Sequence, residues 1–352
     1  MCQEEEMENI NALPLVFVLH CFGCQAQSMF PWLEVASDFN FVMVIPVGLE
    51  NSWNAKYCCG YSLKNEIDDV GFLGEVINKV TNEMSVVRRD MIYGVGWSNG
   101  GYLVSLAANF FRSIVPIAGY QYDDDVIHSI ENDQKSLSIF QHHSLNDNIV
   151  QYNGCCNNPL EAQCCCSISQ SSPEQCMSVE SSFDDWANNV NKCSSMEIAY
   201  KDQNRGIECR TGVGCSANST LCIYEKAGHF GAKHFPMFDE VGDFFARHAC
   251  ESDGFGSWDS SERHCTCKGG DAGSALYCIQ GSSSLKYSAN ATHEYGETWL
   301  KILSISSLLI ATILAIYYRK VWKYQRRINK KGWESLSTVD TDISDIELTE
   351  HS

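Results

Sequence analysis

The chain alternates short apolar runs with amphipathic stretches, a pattern that reads strand, helix, strand. Pro14–Leu19 is an unbroken apolar run ending at His20. It has the length and continuity of a strand covered on both faces. Phe41–Pro46, Met91–Trp97, Arg112–Ile117 and Leu137–Phe140 repeat the pattern. Between them, Ser28–Phe39, Val70–Met84 and Asn99–Asn109 are helix-compatible, and Asp68 and Asp69 stand where the second of these needs an N-cap. Farther on, Val179–Val190 and Phe238–His248 predict helices, and Met196–Tyr200 and Thr220–Glu225 predict strands. Strands that alternate with helices give an α/β domain, a mostly parallel sheet with helices on both faces.

One of these strands ends in unusual chemistry. Met91–Trp97 runs into Ser98 within Gly96-Trp97-Ser98-Asn99-Gly100, and a helix-compatible segment follows. A strand that turns sharply into a helix exposes one hydroxyl at the turn, and glycines two residues to either side remove the Cβ atoms that would collide there. A serine hydroxyl is a poor nucleophile until an imidazole takes its proton and a carboxylate orients that imidazole. Asp147 lies in the loop after the Leu137–Phe140 strand, and His229 in a Gly-flanked loop after Thr220–Glu225, with His234 as a nearby rival. The order Ser98, Asp147, His229 is the order this fold uses. Backbone N–H groups at Cys21 or Phe22, and at Asn99, are the expected oxyanion donors. His20 reads as a structural hydrogen-bonding residue of that loop.

Composition narrows the setting. The chain has 352 residues and a net charge of −19, a surface that disfavours nucleic acid, whose binding rests on neutralising phosphates. Nineteen cysteines occur as pairs and clusters (Cys58-Cys59, Cys155-Cys156, Cys164-Cys165-Cys166). Such spacing suits disulfides rather than a zinc site, and no metal is expected. Sequons at Asn218 and Asn290 predict glycosylation. Ile302–Tyr318 carries no charge and is followed by Arg319, Lys320, Lys323, Arg326, Arg327, Lys330 and Lys331. That pattern predicts a transmembrane helix over 299–318, with the preceding domain outside the cell or in a lumen and the tail 319–352 in the cytosol. The expected domains are therefore an irregular N-terminus (1–13), the α/β domain (14–249) with a Cys-rich insertion (153–178), a Cys-, Gly- and Ser-rich juxtamembrane stalk (250–298), the membrane helix and the tail. Met1–Glu6 has no signal-peptide character, so the N-terminus is expected to be incomplete.

Several blocks carry a resemblance. They are Leu19-His20 with Phe22-Gly23, Asn51-Ser52-Trp53-Asn54-Ala55 with Cys58-Cys59-Gly60, Asp68-Asp69-Val70-Gly71-Phe72, Gly96–Gly101, His143 to Asp147 with Tyr152 and Gly154, and Gly228-His229. Over roughly residues 14–245 the chain resembles the polyhydroxybutyrate depolymerase-like and feruloyl esterase-like branch of the α/β-hydrolases, secreted esterases grouped with carbohydrate esterases. The resemblance implies an α/β-hydrolase fold and ester hydrolysis with Ser98 as nucleophile, Asp147 as acid and His229 as base, without a cofactor. The chain departs from that pattern where the relatives carry Gly, at Cys21, Cys24 and Ser144, and it lacks their upstream strand pair. Two readings follow: a membrane-tethered extracellular esterase acting on a feruloyl, acetyl-polysaccharide or hydroxyalkanoate-type ester, or a catalytically impaired hydrolase-fold receptor or binding protein.

Overall fold

In a computed structural model, residues 13–56, 58–120, 124–132, 136–154, 177–229, 237–251, 254, 256–267 and 277 are described. Strand β1 (Leu13–Leu19) shows how the sheet is made. Leu15, Phe17 and Leu19 pack into one apolar layer, while Val16 and Val18 pack into the other. Both faces of this strand are therefore covered, which is why its sequence is apolar throughout. Each such side chain, fully buried, contributes about 1.5–3 kcal/mol.

Strand β2 (Val42–Val44) lies on one side of β1, and β3 (Val87–Trp97) on the other. The sheet continues through β4 (Ser113–Ile117), β5 (Ser138–Ser144) and β8 (Ser219–Tyr224). All of these pairings are parallel. Two strands then extend the sheet in antiparallel fashion, β7 (Ile207–Val213) against β8 and β6 (Ser195–Asp202) at the edge. The observed order β2-β1-β3-β4-β5-β8-β7-β6 is consistent with the α/β-hydrolase fold. Strand β7 was not expected from the sequence, because its charged and small residues interrupt any apolar run. Cys209, directly opposite Cys222 on β8, joins the two strands by a disulfide.

The helices divide between the two faces. On one face α3 (Asp69–Glu83), α4 (Asn99–Leu106), α5 (Asp124–Asn132) and α6 (Val179–Asp184) meet the layer that holds Leu15 and Phe17. On the other, α1 (Trp32–Phe39) and α7 (Met237–Glu251) close over Val16 and Tyr93. The short helix α2 (Gly60–Lys64), like α5, was not expected. Asp68 does cap α3, accepting the Gly71 amide at 2.8 Å.

Part of the segment expected to be a stalk instead packs on this domain. Strands β9 (Gly256–Asp259) and β10 (His264–Cys267) form a hairpin. Trp258 and Tyr277 bury their rings in the α1/α7 layer, and a Cys250–Cys265 disulfide ties the hairpin to α7. The apolar Trp and Tyr in this Gly- and Ser-rich stretch are what anchor it. No helix among the described residues is long and apolar enough to cross a membrane. The span expected at 299–318 and the tail 319–352 lie outside the described residues, as do Asn290, His234 and most of the insertion 153–178. Asn218 is exposed, beside the start of β8.

Buried His142 and half-buried His248 give the fold an acid sensitivity. Burial pushes His142 down to about 3 and His248 to about 4, the latter helped by the Arg112 charge. The unfolded chain takes up these protons near pH 6.5, whereas the fold does not until pH 3–4. Stability is therefore expected to fall as pH drops from 6.5 towards 4. Thermal melts across this range check it, and His248→Gln should flatten the slope.

Candidate active site

Two glycines on β3 let the next helix come close. A Cβ at Gly94 would lie 2.4 Å from Val104 Cγ2, and one at Gly96 would lie 2.0 Å from the Gly100 carbonyl oxygen. Gly100 in turn leaves no room for a Cβ, which would stand 2.3 Å from Leu19 O and 2.8 Å from His20 O. Helix α4 thus starts hard against the ends of β3 and β1. Between them sits Ser98, at φ 54° and ψ −115°. A non-Gly residue held there stores strain of order 1–3 kcal/mol. The Ser98 amide donates to Ile117 O at 2.7 Å, and its carbonyl accepts from Tyr102 N at 3.0 Å. These bonds fix the turn and leave the hydroxyl free to meet His229.

Ser98, Asp147 and His229, spread over 131 residues, come together in one hydrogen-bonded chain. His229 Nδ1 is 2.8 Å from Asp147 Oδ2, and His229 Nε2 is 3.0 Å from Ser98 Oγ. An ionised carboxylate can only accept, so Nδ1 carries the proton and Nε2 accepts from the Ser98 hydroxyl. All three side chains are buried, between 4% and 7% exposed, so this polarity acts in a medium much drier than water.

Asp147 follows β5 and is aimed by its own loop. Its Oδ1 accepts the amides of Ile149 at 2.8 Å and Val150 at 2.9 Å. Behind it stands His143, an imidazole with no assigned chemical role in the sequence reading. Its Nε2 donates to Val150 O at 2.7 Å and lies 3.6 Å from Asp147 Oδ2. Burial lowers its affinity for a second proton, so it stays a neutral donor bracing the acid loop. The same face also holds the base loop. Ser144 Oγ accepts the Ala227 and Gly228 amides at 3.1 Å each, and Asn146 Oδ1 accepts Gly228 N at 2.8 Å. Ser144, where the resembled family carries Gly, thus ties the acid loop to the base loop. Trp97 Nε1 donates to the His229 carbonyl at 3.3 Å.

The loop after β1 faces the start of α4. Gly23 N donates to Asn51 O at 2.8 Å and Cys24 N to Cys21 O at 3.1 Å, within a turn closed by a Cys21–Cys24 disulfide. The Cys21 and Phe22 amides donate to no described residue. They remain available, as does the first helical amide of α4, Asn99, which precedes any intrahelical acceptor. His20 holds this loop from below: its Nε2 accepts Gly48 N at 3.0 Å, so its Nδ1–H donates to Cys21 O at 2.9 Å. Its ring also packs against Trp53, with ring centroids 4.7 Å apart. Burial keeps it neutral.

The Asn99 side chain was missed by sequence reasoning, which used only its backbone. It is fully buried and clasps a loop 46 residues upstream. Its Oδ1 accepts Trp53 N at 2.8 Å, while Nδ2 donates to Trp53 O at 3.0 Å and Cys58 O at 3.1 Å. The sequence signal was there in Asn51–Ala55, but nothing in it names the partner. Among the described residues, no group of His, Cys, Asp and Glu could hold a metal ion.

No family model and no curated protein matches this chain. Solved structures similar to it include esterase PE8, 14% identical over 66% of this chain and 91% of that one, with a TM-score of 0.38. An acetyl xylan esterase from Aspergillus awamori is 11% identical over 65% of this chain and 89% of its own, with a TM-score of 0.40. SOBER1 from Arabidopsis thaliana is 11% identical over 67% and 99%, with a TM-score of 0.38. At such identities these are likenesses of chain trace, and the chemistry rests on this chain's own residues.

Proposed function

We propose that this protein is a serine carboxylic-ester hydrolase. The observation that carries the reading is the chain from Ser98 Oγ through His229 to Asp147 at a strand-to-helix turn. Ser98 attacks an ester carbonyl while His229 Nε2 takes its proton, and the Cys21 or Phe22 amide and that of Asn99 hold the oxyanion. The tetrahedral intermediate expels the alcohol, protonated by His229. Water activated by the same imidazole then attacks the acyl-enzyme and releases the acid. Asp147 keeps the imidazole in the tautomer that both steps need.

The finer reading follows the sequence resemblance: a feruloyl, acetyl-polysaccharide or hydroxyalkanoate-type ester. Paired cysteines and the uncharged segment 302–318 support a domain outside the cell, tethered by one helix. The amides of Cys21 and Phe22 favour the enzyme over the impaired-receptor reading, because the loop keeps its donors although both glycines are gone. A fluorophosphonate probe tests the reading. The folded protein should take up one adduct, on the peptide containing Ser98, and His229→Ala should abolish it. A folded protein that is never labelled would contradict the reading.

A further inference from the structure

We propose that the Cys21–Cys24 disulfide is a thiol-sensitive control element of the oxyanion loop. This rests on the serine-hydrolase reading above. The bond spans four residues, and the amides of Cys21 and Phe22, which have no acceptor among the described residues, lie within that span. Besides the disulfide, the turn is held at Cys21 O by the Cys24 amide and His20 Nδ1, and at Gly23 by the bond to Asn51 O. Gly23 at φ 72° gives it no stiffness of its own. Cutting the crosslink frees the backbone of Phe22 and Gly23 at the point where an amide must stay aimed.

The surroundings transmit this change across the site. The Phe22 ring lies over Gly60, where a Cβ would stand 2.2 Å from its Cε2. Gly60 follows the Cys58–Cys59 disulfide, and Cys58 O is one of the groups clasped by Asn99. Phe22 thus bridges the first loop to the loop clasped by the second donor residue. The disulfide is also reachable from one side. Cys21 is buried at 5% exposure, whereas Cys24 is partly exposed, next to the exposed Phe22 and Gly23.

Attack therefore falls on Cys24. One thiolate of an external dithiol bonds to Cys24 Sγ, the Cys21–Cys24 bond breaks, and Cys21 leaves as a thiolate that takes a proton. The second thiolate of the dithiol attacks its own sulfur in the mixed disulfide. This closes the reagent's disulfide and releases Cys24, which is protonated in turn. Two electrons pass from the dithiol to the protein, and oxidation by a disulfide reverses the exchange.

The full chain is titrated with dithiothreitol under native conditions. Ester hydrolysis, thiol alkylation by mass spectrometry and near-ultraviolet circular dichroism are followed together. Activity is expected to fall about tenfold or more in step with alkylation of Cys21 and Cys24, with the fold retained. Reoxidation should restore it. The double variant C21S/C24S should show the same loss, mainly in kcat, and no further response to the reagent at that dose. The variant C193S/C215S, at the far sheet edge, should respond like the wild type. Full activity in folded protein alkylated at both cysteines would overturn the proposal, as would a loss that tracks another disulfide instead. If C21S/C24S fails to fold, the wild-type titration decides alone. Ser98→Ala, run in parallel, separates the two claims: if it keeps wild-type hydrolysis, the hydrolase reading itself fails.

Discussion

Asp147→Asn is expected to lose about four orders of magnitude in kcat while remaining folded. The carboxylate accepts three hydrogen bonds, from Ile149 N, Val150 N and His229 Nδ1. An asparagine keeps its oxygen against the two amides, which are fixed donors, and turns its NH₂ towards His229. The imidazole must then accept at Nδ1 and carry its proton at Nε2. In that tautomer it cannot take the Ser98 proton, although no atom of the serine or histidine is lost. Steady-state rates with p-nitrophenyl acetate check this, together with a melting curve close to the wild type. Activity within about tenfold of the wild type would show that Asp147 does not set the tautomer.

The second large effect is on stability. Asn99→Ala removes a buried amide that makes three hydrogen bonds to the backbone of the Trp53–Cys58 loop. The Trp53 amide loses its acceptor in a site without solvent access, whereas Trp53 O and Cys58 O each lose one of two donors and keep the Cys59 and Ala55 amides. At about 1–3 kcal/mol for the stranded amide and about 1 kcal/mol for each bond the two carbonyls lose, a loss of about 3 kcal/mol is expected. Urea unfolding measures it directly. The loop should also become mobile, so kcat should fall beyond what the small change in backbone chemistry at residue 99 accounts for. A variant within about 1 kcal/mol of the wild type would mean that the clasp is dispensable.

How far the sequence anticipates this structure depends on where the determining contacts lie. The parallel strands were legible because burial on both faces forces an apolar run, as in Pro14–Leu19. Gly96 and Gly100 were legible because a tight strand-to-helix turn excludes Cβ atoms locally. Ser98, Asp147 and His229 followed from their order after successive strands. What the sequence hid is non-local. Nothing near Asn99 announces that its amide will grip Trp53, and nothing near His143 announces a bond to Val150 O that braces the Asp147 loop. Strand β7 escaped because one side of an antiparallel ribbon faces solvent, so its sequence reads as a loop. The hairpin at 256–267 escaped because its anchors are single residues, Trp258 and Cys265, set among Gly and Ser. Disulfide partners such as Cys193 and Cys215, 22 residues apart, are set by strand register, which cysteine spacing alone cannot give.

The oxyanion loop is the sharpest example. Read as sequence, Cys21 and Cys24 are departures from the glycines of the resembled family. Folded, they close the turn on each other, and the Cys21 and Phe22 amides donate to no described residue.

If Ser98 is the nucleophile of an ester hydrolase, hydrolysis depends on its hydroxyl. The most direct test is the initial rate of hydrolysis of p-nitrophenyl acetate, methyl ferulate and a short hydroxybutyrate oligomer by the folded wild type and Ser98→Ala. The wild type is expected to turn over at least one ester, and Ser98→Ala to lose about four orders of magnitude or more. Equal rates in the two proteins, or no turnover of any ester by folded wild type, would contradict it.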